Sequence, residues 1–143
     1  MRGYRRRVIR GLHRQRRGAA VVEFAVVAPL LFLVLFGIIE FGRLFMVQQV
    51  LTNATREGAR RAILETSTEA EVKTVVGDYL TSAAVSGATV TVSPSNLSLL
   101  GLGDAVTVGA SVPFEDVSWL PSPWFLGGRT LSAQSVMRAE RPE

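Results

Sequence analysis

The sequence predicts an α+β protein. A long N-terminal transmembrane helix continues into a small extracytoplasmic domain with a second helix and a roughly three-stranded antiparallel sheet. Three observations lead there. Ala19 to Ile39 is a run of 21 residues with a single charge, which as a helix spans roughly 31 Å and matches the hydrocarbon core of a bilayer. Leu44, Val47, Leu51, Ala54, Gly58 and Ala62 then recur at steps of three and four, the period of one apolar helix face. Three later segments alternate apolar and polar residues in the manner of half-buried strands.

The N-terminal end is defined by charge. Residues 1–17 hold eight arginines and no acid, whereas the remainder carries eight basic against twelve acidic residues. The basic balance of the chain therefore belongs to a short leader, residues 1–18, and not to its body. An arginine cluster can neutralise nucleic-acid phosphates. One set directly before a membrane-length apolar run instead fits the positive-inside rule, with the leader cytoplasmic and the C-terminal body across the membrane. We expect no nucleic-acid partner. A cleaved secretory signal fits less well, because the run is longer than an h-region and ends in Gly37-Ile-Ile-Glu40-Phe-Gly42-Arg43 without a small-x-small site.

Helical periodicity continues past the run, predicting one helix over residues 19–65, of which 19–39 cross the membrane. Its 47 residues would make a rod of roughly 70 Å. Pro29 is expected to kink it, since proline removes a backbone donor and clashes with the preceding turn. Arg43, Asn53, Arg56, Glu57, Arg60 and Arg61 fall mostly off the apolar stripe. Glu57 with Arg61, and Arg61 with Glu65, are opposite charges at i,i+4. Glu40 reads as an interfacial residue at the membrane exit, paired with Arg43 beside it.

Residues 66–143 form the extracytoplasmic domain. Thr66-Ser67-Thr68 is a capping-type stretch before a second helix over Glu69 to Ala84, with Val72, Val75, Val76, Tyr79, Leu80 and Ala83 on its apolar face and Ser86-Gly87 ending it. Strands are predicted at Thr89–Val92, Ala105–Val112 and Thr130–Arg138, burying Val90, Val92, Val106, Val108 and Val112. The loop between the first two exposes or docks several leucines. That between the last two is rich in proline and aromatics. A body this small is expected to borrow the long helix for its core.

Few groups suggest chemistry. The chain lacks cysteine, and His13, its one histidine, lies in the leader, so a His-based triad or a Cys/His metal site is not available. Gly101-Leu102-Gly103-Asp104 precedes a strand pattern and reads as a turn, not a phosphate loop. Glu115 and Asp116 read as a solvated loop in preference to a glycosidase pair. Trp119, Trp124 and Phe125 could dock a partner, anchor at lipid headgroups or close the end of the sheet, the last being expected for aromatics in a small domain. Neither catalysis nor a cofactor is expected.

Arg17-Gly18-Ala19-Ala20-Val21-Val22-Glu23-Phe24 places a glycine five residues before a glutamate and an aromatic, at the mouth of the apolar run. With Ala25-Val26-Val27-Ala28-Pro29-Leu30-Leu31, Ile39-Glu40-Phe41-Gly42-Arg43 and Leu51 to Arg60, it resembles the TadE-like family of minor pilins, or pseudopilins, of tight-adherence (Tad, Flp-type) pili. Leu131 to Arg138 is similar to that family's final strand. The resemblance implies cleavage by a prepilin peptidase between Gly18 and Ala19, with Glu23 and Phe24 as the processing and assembly motif and Glu40 and Arg43 as the membrane-exit motif. Implied partners are that peptidase, other pilin or pseudopilin subunits through the N-terminal helix, and the inner membrane. The implied role is pilus biogenesis, adherence or biofilm formation, the body being periplasmic or, in a pilus, extracellular. Two departures stand out. Alanine follows the cut where the commoner type IV pilins have phenylalanine, and the C-terminal body exceeds that of the short major pilins, which favours a minor or assembly-initiating subunit.

Two readings of Glu23 stay open. It could pair with the Ala19 ammonium created by cleavage, its own or a neighbour's, or it could simply favour the dipole of a first helical turn at headgroup level. The alternative to pilin-type processing is an uncleaved single-pass protein that scaffolds the secretion apparatus from the periplasm.

Overall fold

The computed structural model describes the backbone of residues 8–120 and 125–139, with side chains from residue 18 onward. The leader arginines, Pro121–Pro123 and Trp124 lie outside the described side chains. The chain divides into two units, residues 1–39 and 40–143. Helix α1, Val8–Ala62, supplies the described helix of the first and opens the second.

In the first unit the helix is unbroken through Pro29. Its large apolar side chains from Val21 to Ile38 are exposed almost throughout. A helix apolar on all sides belongs in lipid or a large core, and α1 is long and apolar enough to cross a membrane. Because it begins at Val8, Glu23 sits well inside it. The first-turn dipole reading of Glu23 therefore applies only to a chain that has lost its leader.

The second unit packs helices on one face of a sheet. After Gly42 the expected stripe is buried: Val47, Leu51, Ala54, Gly58 and Ala62 fully, Leu44 in part. The helix stops at Ala62, three residues short of the expected end, so Glu65 has left it. Arg61 consequently reaches forward to Glu71 at 3.5 Å rather than pairing with Glu57 or Glu65. Glu57 takes Arg60 instead, at 3.7 Å.

Helix α2, Glu69–Ser82, starts in a capping box. Thr68 Oγ1 accepts from the Glu71 N–H, and the Glu71 carboxylate accepts from the Thr68 N–H. Val72, Val76 and Leu80 are its buried face, while Tyr79 is exposed. The helix ends earlier than Ser86-Gly87 suggested. Ala84 takes a left-handed conformation (φ 55°), the Val85 N–H bonds Leu80 O at 2.9 Å, and the Ala84 N–H bonds Thr81 O at 3.0 Å. That is a Schellman ending with alanine in the position glycine usually fills.

Strands β1 (Thr89–Ser93), β2 (Ala105–Pro113) and β3 (Thr130–Arg138) form an antiparallel sheet in the order β1-β2-β3. The register pairs Val92 with Val108, Val106 with Met137 and Val112 with Leu131. The inward positions carry the valines. The outward ones, Thr89, Thr91, Thr107, Gly109, Ser111, Ser132 and Gln134, are almost all polar or glycine, as a one-sided sheet requires. Of the expected core valines only Val90 is half-buried. In the β1–β2 loop Leu97 and Leu100 dock while Leu99 and Leu102 stay exposed, and Gly103 turns the chain at φ 82°. The β2–β3 connection holds an unexpected turn of helix, α3 (Phe114–Val117), because Phe114 and Val117 both enter the core. Its Glu115 is not merely solvated: Oε1 accepts the Gly128 N–H at 2.8 Å.

Helix α1 meets both other layers at Gly58. A Cβ there would collide with Val76 Cγ2 of α2, lie 3.1 Å from Val108 Cγ1 of β2, and 3.6 Å from Val72 Cγ1. Branched valines cannot swing aside, so overpacking of about 1–3 kcal/mol outweighs the helix-propensity gain of about 1 kcal/mol. Gly58→Ala should lower stability by up to about 2 kcal/mol net, read as a lower urea midpoint of the detergent-solubilised chain. Gly42→Ala, where an added Cβ meets nothing within 4 Å, should leave the midpoint unchanged or raised.

Candidate functional site

The first turn of α1 in the second unit carries two charged residues on its buried side. Glu40 is 1% exposed and Arg43 5%. At i,i+3 they share a face and extend the Leu44–Val47–Leu51 stripe toward the helix N-terminus. The expected pairing of Glu40 with Arg43 does not occur. Each instead binds backbone groups of opposite polarity from distant parts of the chain.

The Glu40 carboxylate accepts the Phe125 N–H (3.2 Å to Oε2, 3.4 Å to Oε1) and the Leu126 N–H (3.2 Å to Oε1). Two consecutive N–H groups at a turn converge on one anion, a charge-assisted arrangement stronger than neutral bonds. It seats Leu126 in the core.

Arg43 works on carbonyls. Its Nε donates to Val117 O at 2.7 Å, at the end of α3, and its Nη2 donates to Ala84 O at 2.9 Å. The planar fork delivers two donors at fixed geometry, which a lysine could not copy. Nη1 approaches Met46 Sδ at 3.8 Å, and the guanidinium carbon lies 5.0 Å from the centre of the Trp119 ring, within cation–π range. Burial lowers the Arg43 pKa from its ordinary value. The bound carbonyls favour the charged form. One residue thus fastens the left-handed corner after α2 and the end of α3 to the same turn of α1.

Further along this face the contacts are neutral. Gln48 Nε2 donates to Ser132 O of β3 at 2.9 Å, and buried Thr55 shares a hydrogen bond with Ser135 Oγ at 3.1 Å. Sequence reasoning missed these and set Arg43 off the stripe. Continuing the helical period backward from Val47 reaches Leu44, Arg43 and Glu40, and that spacing was the available signal. The partners of Glu40 and Arg43 are main-chain atoms, for which no residue type gives notice.

The remaining candidate residues form no such cluster. Gly18, Ala19, Glu23 and Phe24 lie within seven residues of the first unit's helix, all exposed. Among the described residues nothing stands within 4 Å of a Cβ placed on Gly18, so packing among them does not require glycine there. The loop aromatics also depart from expectation. Trp119 and Phe125 are exposed, and from this connection it is Phe114, Val117 and Leu126 that enter the core.

Among the described residues these elements define an α+β protein with one helix long and apolar enough to cross a membrane and, within the second unit, a buried two-charge clamp. Residues 18–60 match the family model described as TadE-like protein, so the chain carries a TadE-like domain over the membrane-length run, the clamp residues and most of the buried stripe. Such a domain implies a role in Tad pilus assembly. No curated protein and no solved structure matches the chain.

Removing the Glu40 acceptors leaves two N–H groups unpaired, one of them buried, at about 1–3 kcal/mol. Glu40→Ala should therefore speed amide exchange at Phe125 and Leu126 roughly ten- to a hundredfold relative to the amides of β2. Glu40→Gln, which keeps one carbonyl acceptor, should have the smaller effect.

Proposed function

We propose that the chain is a minor pilin or pseudopilin-like subunit of a Tad/Flp-type pilus assembly system, processed by a prepilin peptidase at the cytoplasmic face. The peptidase cuts between Gly18 and Ala19 and frees the arginine-rich leader. The mature helix, with residues 19–39 in the inner membrane, bundles with other pilin helices while residues 66–143 stand in the periplasm. Head-to-tail repetition of such contacts yields an open helical array.

The observation that carries this reading is Gly18. Glycine inside a helix costs about 1 kcal/mol relative to alanine, and no neighbouring atom of the described residues gives a reason for it. A scissile position does give one, since the helix must open locally for its peptide bond to be reached. The motif around it, Glu23 with Phe24, adds to this. Residues 19 and 23 are one helical turn apart on the same face, and side chains lean toward the helix N-terminus. The Glu23 carboxylate therefore leans back toward the position where cleavage would create the Ala19 ammonium. Pairing with that cation, its own or a neighbour's, offsets the cost of an acid at the edge of the bilayer, about 2.5–3.5 kcal/mol if it lay at the centre. Phe24, 69% exposed, is then a helix-bundling contact, and Glu40 with Arg43 mark the membrane exit.

The intact mass of the membrane-extracted protein, with and without an active prepilin peptidase, tests the reading. A peptidase-dependent loss of residues 1–18 is expected, and an uncut chain favours a permanently anchored periplasmic scaffold. Glu23→Ala should leave membrane insertion and cleavage intact while the subunit's yield in sheared filaments falls at least severalfold. Unchanged yield would remove the pairing.

A further inference from the structure

Four aromatic rings of the second unit, two on α1 beside the clamp and two on segments the clamp holds, stay out of the core. Phe41 is 47% exposed, Phe45 70%, Trp119 64% and Phe125 45%. All four belong to the second unit, on the opening turns of its helix and on the β2–β3 connection. They are not on loosely tethered chain. The Phe125 N–H is bound by Glu40, and the Trp119 ring rests against the Arg43 guanidinium. The protein thus spends two buried charges on segments that present apolar rings to the outside. Singly scattered exposed hydrophobics need no explanation, but a rigidly mounted group does.

Their place in the chain identifies what meets them. The apolar run ends at Ile39. Counting about 1.5 Å per residue, Phe41 and Phe45 lie roughly 3 and 9 Å beyond it along the helix. The interfacial layer on each side of a bilayer's hydrocarbon core is about 5–8 Å thick, so Phe41 falls within its depth and Phe45 at its outer edge. Glu40 and Arg43, one and four residues past the run, hold the Phe125 N–H and the Trp119 ring, so these two rings are tethered to the same stretch of chain. Tryptophan gathers at this boundary because its ring is apolar and its N–H is not.

We propose that Phe41, Phe45, Trp119 and Phe125 form an aromatic collar that docks the body onto the phospholipid headgroup layer of the bilayer its own apolar run enters. The Glu40–Arg43 clamp is the positioning device for this surface. Trp119 sits at the boundary of headgroups and acyl chains, with the Arg43 guanidinium behind its ring. Lipid is the occupant because covalent continuity brings it within reach of every copy of the chain. The proposal rests on residues 19–39 crossing the bilayer.

The test uses the full chain with Trp124→Phe, leaving Trp119 as the only indole, in phosphatidylethanolamine–phosphatidylglycerol vesicles. Trp119 emission should be quenched severalfold more by lipid brominated high on the acyl chain than by aqueous iodide. A protein that floats with the vesicles while iodide reaches Trp119 and brominated lipid does not overturns the docking and leaves the membrane span standing. Shielding from both quenchers would mean a protein cover and also overturns it. A chain that fails to float removes the membrane-span reading and the collar with it. Should Trp124→Phe disturb the fold, a spin label at Phe45→Cys in this cysteine-free chain gives a second readout. It should be several times less accessible to an aqueous nickel chelate than a label at Glu57→Cys, and equal accessibility refutes the collar.

Discussion

Everything in the body is referred to one turn of helix, where a carboxylate collects two N–H groups and a guanidinium, three residues on, feeds two carbonyls. Buried charges are expensive when isolated, and ion pairing repays that cost only with excellent geometry. Here the charges are solvated by fixed main-chain dipoles instead of by one another. The consequence is directional. An apolar substitute at either position would leave main-chain groups orphaned, so Glu40 and Arg43 specify which turns lie against α1 and in what orientation. Apolar contacts alone, being non-directional, could not do that.

Below the clamp the same helix face changes character while keeping its function of holding the layers. Gln48 and Thr55 tie it to β3, and Val47, Leu51, Ala54 and Ala62 supply core surface. A three-stranded sheet and a 14-residue helix have little apolar surface to share between them, and small domains bury proportionately less. The second half of α1 is therefore a structural member of the body as much as its link to the membrane-length run.

Patterns with a physical period were legible in the sequence. The stripe from Leu44 to Ala62 and the strand Thr130–Arg138 needed only periods of 3.6 and 2, and the hydroxyls of Thr66-Ser67-Thr68 announced a cap, which the structure assigns to Thr68. Arg43 was not legible, because composition prices an arginine as solvent-facing unless its partners are known, and those partners are carbonyl oxygens. The turn of helix at Phe114–Val117 was hidden for a related reason. Two adjacent acids suggest a solvated loop, while tertiary burial of Phe114 and Val117 is what decides the local conformation. Trp119 and Phe125 reversed the usual expectation for aromatics, both staying exposed while Leu126 is buried.

The clamp's contacts join residues 74 and 86 positions apart. Both hairpins of the sheet connect neighbours, and local contacts form before distant ones because loop closure must be completed first. A chain is also synthesised from its N-terminus, so Glu40 and Arg43 exist long before Val117 and Leu126 do. For that interval their charges must stay hydrated. The clamp therefore closes late: both charges leave water only when the corner after α2, the end of α3 and the Phe125–Leu126 turn have all reached α1.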